Sequence, residues 1–321
     1  MKKLFTLIAL TITFSMNAQV STHSTSNGGL RSSAIGAWSN AAADYSFASG
    51  RSTTASGYGS TVFGRNSTSS GDYSTAMGYN THASGVYSTA MGYQSTASGN
   101  YSKAIGYEST ASGTRSFAGG LQTVASGGGS FAFHSGTTAS GTNSTALGRV
   151  TVASDYASVV IGQFNSSGSS VTNSASSFST SNTAFVIGNG TSGNLSDAFK
   201  VMFNGDVTVS NNLTVVGEVE VQSDERLKSN IVSLGSTLSK LILIDGKSYE
   251  KDGKQRIGVL AQEIQKVFPE LVTVDGNEML AVNYQGLVPV LINALKEQDK
   301  IIKTQEARLN NIENLIANLN E

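Results

Sequence analysis

Cysteine is absent from the 321 residues, proline occurs twice, and only 13% of side chains are charged. Without cysteine the chain forms no disulfide, thiolate nucleophile, cysteine-ligated zinc site or lipoprotein-type anchor. Two prolines beside 35 glycines exclude both a Pro/Gly-rich linker composition and the Gly-X-Y period of collagen. Low charge with 39% hydrophobic residues is the opposite of what keeps a chain disordered. A net charge of −1 and a pI near 6.3 give no basic field to attract nucleic acid. No apolar run of membrane-spanning length follows the N-terminal segment, so no transmembrane helix is expected in the mature chain. P-loop and HExxH patterns are missing, and His23, His82 and His134 share no ligand spacing. Neither a cofactor nor a metal is therefore expected. What is left is glycine-spaced, uncharged and apolar, which points to a repeat.

Residues 1–18 have the layout of a secretory signal peptide. Lys2 and Lys3 are followed by apolar Leu4 to Phe14 and by Met16-Asn17-Ala18, with cleavage before Gln19. An exported protein, extracellular or at a cell surface, is expected. Charge is uneven beyond that point: residues 21–200 hold 12 charged side chains, and residues 201–321 hold 29 together with Pro269 and Pro289. The sequence thus has two physical parts with a boundary near residue 200.

The first part repeats every fourteen residues. One glycine series runs Gly36, Gly50, Gly64, Gly78, Gly92, Gly106, Gly120, Gly148 and Gly162, with His134 in the missing place. A second runs Gly57, Gly71, Gly85, Gly99, Gly113, Gly127 and Gly141, with Asp155 next, and a serine ladder runs from Ser32 to Ser158. The unit is x-S-x-A-φ-G-x-x-[S/T]-x-A-S-G-x, where φ is apolar. Two glycines per unit would cost a helix about 1 kcal/mol each. Two short strands per unit, each closed by a glycine able to take positive φ, fit instead. Stacked coils then form parallel ladders of like residues. Ala76, Ala90, Ala104 and Ala118, with Met77, Met91 and Ile105, are expected to line the interior. So small a coil buries little by itself, so several solenoids packed along one axis are expected.

The segments YSTAMGYNTHASG (73–85), YSTAMGYQSTASG (87–99) and YSKAIGYESTASG (101–113) resemble the Hep/Hag, YadA-like head repeats of trimeric autotransporter adhesins. The resemblance covers residues 31–162. It implies a left-handed parallel β-roll that trimerises and binds a host or matrix surface, with a glycan or protein as ligand. Those adhesins end in a membrane anchor of four strands per subunit, for which this sequence shows no counterpart.

Two other features of the repeat each have two readings. The pairs Thr53-Thr54, Ser67-Thr68, Ser95-Thr96, Ser109-Thr110 and Thr137-Thr138 are either turn residues on a solvated face or a hydroxyl array that orders water, as on an ice-binding solenoid. Tyr73, Tyr87 and Tyr101, and Tyr79, Tyr93 and Tyr107, are either ligand contacts or rings that stabilise the sheet by stacking.

Residues 163–182 are low in complexity and read as a linker or decayed coil. Residues 183–222 read as a β stalk. Asn204-Gly205 signals a hairpin between Val201 to Phe203 and Val207 to Val209, and Val207 to Val221 alternates with mostly polar residues. One narrow ribbon is marginal by itself, so a stalk shared by three chains is expected.

SDERLKSNI (223–231), GVLAQE (258–263) and YQGLVPVLINALKEQ (284–298) together resemble the intramolecular chaperone auto-processing domain of phage tail fibres and endosialidase-type tailspikes, peptidase S74. The resemblance covers residues 222–321, with the domain proper at 223–286. It implies that the domain helps three chains assemble and then cuts itself off at Gln222–Ser223. Ser223 would be the nucleophile and Lys228 the general base, with Asp224, Arg226 and Glu263 in support. A serine hydroxyl needs such a base, and a lysine serves when burial or nearby cations favour its neutral form, Arg226 being the candidate cation. By spacing alone, Ser223 reads first as an N-cap that starts a helix, and the downstream matches reverse that reading.

From Val288 the spacing of three and four through Leu291, Leu295, Gln298, Ile302, Gln305, Leu309, Ile312, Ile316 and Leu319 is a heptad seam, read as a coiled coil over 287–321. Gln298 and Gln305 share one seam position, where amides set register and oligomer state. Pro289 falls in the first turn, where it is tolerated. The expected fold is mainly β: a trimeric left-handed β-roll head and β stalk, then a small α+β domain ending in a trimeric coiled coil. The alternative is a surface-ordering solenoid whose C-terminal domain only trimerises.

Overall fold

A computed structural model describes residues 25–274 and 278–319, so the expected signal peptide lies outside the described residues. The chain forms two compact units, one ending at Gly217 and the other beginning at Glu218.

The first unit is a parallel β-solenoid. Each fourteen-residue coil contributes a five-residue strand, such as Thr75–Tyr79, and a two-residue strand, such as His82–Ala83. Successive coils pair without slippage: Ala76 opposes Ala90, which opposes Ala104, and Gly78, Gly92 and Gly106 align likewise. The five-residue strands belong to a 13-stranded sheet and the two-residue strands to a 10-stranded one. The period was legible because every strand meets its own equivalent.

The interior is narrower than expected. Ala76, Ala83, Ala90, Ala97 and Ala104 are fully buried, as are Ser60, Ser67 and Ser102. The φ row is not inside: Met77, Ile105, Phe63 and Phe133 are exposed and Met91 is half-buried. Neighbours along a strand point to opposite faces, so placing Ala76 inside turns Met77 outward. Alanine and serine bury little apolar area, and inter-coil backbone hydrogen bonds therefore carry much of the cohesion. The hydroxyl pairs divide in the same way. Thr53, Ser67, Ser95, Ser109 and Thr137 are buried, and Thr53 Oγ1 donates to Ser39 Oγ at 3.0 Å. Only the second member of each pair faces outward, in a row interrupted by His82 and Val124. The paired hydroxyl face does not form.

The two glycine series differ in backbone conformation and share a close approach to the next coil. The first has positive φ, as at Gly78 (128°) and Gly92 (110°). At Gly85 in the second, φ is ordinary, but an added Cβ would lie 2.0 Å from the carbonyl oxygen of Gly99. A Cβ at Gly78 would lie equally close, 2.0 Å from the carbonyl oxygen of Gly92, so both series keep space for the next coil and the first also supplies positive φ. Tyr73, Tyr87 and Tyr101 stack with centroids 4.9 and 5.3 Å apart, and Tyr79, Tyr93 and Tyr107 at 5.2 and 4.7 Å.

Residues 163–182, expected as a linker or decayed coil, are tied to the last coils. Asn165 is buried. Its Oδ1 accepts from Val152 N at 2.8 Å, and its Nδ2 donates to Val152 O at 2.9 Å. The side chain thereby copies the backbone of a further strand. Buried Asp155, which takes a glycine's place where no further coil follows, accepts from Thr172 N, Thr172 Oγ1 and Thr183 N at 2.7–2.8 Å. Thr183–Asn189 returns to the main sheet, with Phe185 opposite Val159, so the first strand expected in the stalk extends the solenoid. The expected hairpin follows, pairing Val201 with Val207 and Phe199 with Val209 around Gly205 at φ 94°. Past Val209 the alternating segment forms no strand, and Val215, Val219 and Val221 are exposed. A single ribbon offers that backbone no partner.

The second unit is small and mixed. Two hairpins, Lys247–Lys251 with Lys254–Gly258 and Val272–Val274 with Leu280–Val282, accompany helices Leu238–Leu241, Ala261–Val267 and Leu287–Leu319. Ile264, Phe268, Leu271 and Val290 form its core. Glu297 anchors the long helix to the preceding segment, accepting from Ser236 Oγ at 2.7 Å and from Thr237 N at 2.5 Å. These bonds, the Ser236 hydroxyl first, hold the Glu297 carboxyl below its ordinary range. From Gln298 onward the described helix is exposed on every side.

Candidate functional site

The site begins as a local turn at the start of the second unit. Asp224, not Ser223, is the N-cap of the 3-10 turn Glu225–Leu227, accepting from Arg226 N at 2.9 Å. Its carboxylate also takes both prongs of the Arg226 guanidinium, Nε at 3.0 Å and Nη2 at 2.7 Å. The side-chain bond to Arg226, then the backbone bond, holds the Asp224 carboxyl below its ordinary range, and Arg226 is raised in return. Both side chains are solvated, so the pair shapes the turn more than it stabilises the fold.

That turn brings Lys228 back over Ser223. Lys228 Nζ donates to Ser223 Oγ at 2.6 Å and to Ser223 O at 2.9 Å. Ser223, Asp224, Arg226 and Lys228 are therefore one cluster, within reach for proton transfer between amine and hydroxyl. Arg226 is directed at Asp224. Gln222 joins Asp224, Arg226 and Leu227 in lining a shallow concavity, and every residue of 222–228 is exposed in the single chain.

Glu263 sits in a separate cluster. It accepts from Asp245 N at 3.3 Å and lies 3.4 Å from Lys247, which also pairs with Asp245 at 2.8 Å. Asp245 and Lys247 escaped the sequence reading because no motif position marks them; only the fold brings them to Glu263. Among the described residues no acidic, histidine or cysteine cluster could hold a metal, and no helix is long and apolar enough to cross a membrane. His134 occupies a glycine position at φ 96°, edge-on to Phe133, and His82 stands in an outward row.

Comparison with known proteins divides the chain as the structure does. Segments 28–53, 55–81, 83–109, 104–123 and 139–165 match the YadA head domain repeat, and residues 223–273 match the family described as Chaperone of endosialidase. The chain is similar to the Long tail fiber protein Gp37 of Escherichia phage AR1, 34% identical over 96 residues, and to that of Enterobacteria phage K3, 34% over 117 residues. These alignments cover 26% and 33% of this chain but only 9% of each relative. Gp37 of Enterobacteria phage M1 is 31% identical over 98 residues, 27% of this chain and 39% of the relative. The solenoid is thus built of YadA-type head repeats, and a chaperone-of-endosialidase domain begins at Ser223.

Proposed function

We propose that the chain is an exported, trimeric, adhesin-like fibre whose C-terminal domain promotes assembly and then removes itself by cutting Gln222–Ser223. The observation that carries the reading is the 2.6 Å approach of Lys228 Nζ to Ser223 Oγ at the first residue of the matched chaperone domain. With the amine neutral, Nζ accepts the Ser223 hydroxyl proton as Oγ attacks the carbonyl carbon of Gln222. The new C–O bond replaces the C–N bond, and Lys228 passes its proton to the departing Ser223 nitrogen. The acyl group has then moved from nitrogen to oxygen as an ester. Water hydrolyses the ester, leaving a carboxylate on Gln222, a free amine on Ser223 and the hydroxyl restored. Nucleophile and carbonyl belong to adjacent residues, so proximity supplies much of the rate.

Assembly supplies what one chain lacks. A lysine base needs burial, yet the 222–228 turn is exposed alone. The outward Met77 and Ile105 row, the unpaired strand pattern past Val209 and the exposed helical seam are the surfaces that copies of the chain would cover. The cut then follows trimerisation. The head presents the adhesive surface, with a glycan or a protein as ligand. Size exclusion with mass determination tests both steps: a trimer lacking residues 223–321 supports the reading. An intact trimer would leave the domain as a trimerisation module alone.

A further inference from the structure

The exposed part of the long helix carries information about its partner beyond the existence of a seam. Flanking the seam on one side are Asp299, Glu306 and Glu313, and on the other Ala294, Ile301, Arg308 and Leu315. The described helix holds one ion pair, Lys303–Asp299 at 2.7 Å, and neither Arg308 nor Glu313 belongs to it. Gln305, Arg308, Leu309 and Ile312 line a concavity on the helix surface. In a coiled coil, four residues so spaced form the hole that receives a seam side chain of a neighbouring helix.

We infer that this helix associates with copies of itself parallel and unstaggered, with Arg308 of each chain bonded to Glu313 of the next. The inference rests on the trimer reading above and specifies its interface. In a parallel pair, one flank faces the opposite flank of the neighbour five residues further on, which brings Arg308 to Glu313. In an antiparallel pair like flanks meet, and Asp299, Glu306 and Glu313 would face one another with like charge. Register is set by Gln298 and Gln305. Unstaggered, each forms a layer with its own equivalents. A slip of one heptad places a glutamine against Leu291 or Ile312 and leaves a buried amide without a partner. Charge selects orientation and the amides select register.

The absence of native cysteine permits a direct test in the full-length chain. Ile312→Cys is expected to give a covalent pair of chains on oxidation, and Thr304→Cys, on the opposite face, is not. Arg308→Glu and Glu313→Arg should each lower the helix melting midpoint by a few degrees, and the double reversal should restore most of the loss. A trimer that fails to cross-link through Cys at 312, or in which the two reversals simply add, would overturn the inference and leave the trimer standing. A monomer in sedimentation would overturn the trimer reading itself.

Discussion

Gly85 and its equivalents show how a single hydrogen can decide a coil. A Cβ there meets a carbonyl oxygen of the next coil at 2.0 Å, and the backbone cannot yield without breaking register. Gly85→Ala is therefore expected to destabilise the head by about 1–3 kcal/mol, the usual range for overpacking, read as a lower melting temperature. The position of these glycines was legible in the sequence; their purpose was not, because a tight turn and a close approach both select glycine. Asp224 presents a similar ambiguity. Ser223 and Asp224 are both capping residue types, and only the bond from Arg226 N assigns the cap to Asp224, leaving the Ser223 hydroxyl to Lys228. Asp224→Ala should slow self-cleavage without abolishing it, whereas Ser223→Ala and Lys228→Ala should abolish it, as followed by gel electrophoresis over time.

At the level of elements, the solenoid needs a way to stop. Asn165 closes the last two-residue strand, Val152–Ala153, with side-chain bonds to both polar backbone groups of Val152. Leaving those groups unpaired costs about 1–3 kcal/mol, so Asn165→Ala should speed amide exchange at Val152. The serine-rich composition of residues 163–182 concealed this, since each bond there is made by one side chain with no period. The φ row was misplaced for a related reason: an apolar residue in a repeat can face its own coil or another chain, and hydropathy does not distinguish them. The long helix has its own pH signature. Glu297 is held below its ordinary range by the Ser236 hydroxyl and the Thr237 amide. Its bonds contribute fully above the unfolded-state value and are lost as pH falls through the lowered one. Exchange at the Thr237 amide should therefore rise on acidification, and Glu297→Gln should flatten that response.

For the whole molecule, the scarcity of charge and proline belongs to one part of the chain. The solenoid is glycine-spaced and small inside, and it turns its larger apolar residues outward; the charges and both prolines lie largely in or near the unit that begins at Glu218. The two modules were legible because each carries several motifs in one register. Their coupling is a matter of assembly and chemistry, in which the second module is proposed to cut itself from the first. Mass spectrometry of the protein purified after assembly distinguishes cut from uncut chains. A chain ending at Gln222 and a separate fragment beginning at Ser223 are expected, with Ser223→Ala yielding one uncut species. An assembled wild-type protein whose chains run intact through Glu321 would contradict it.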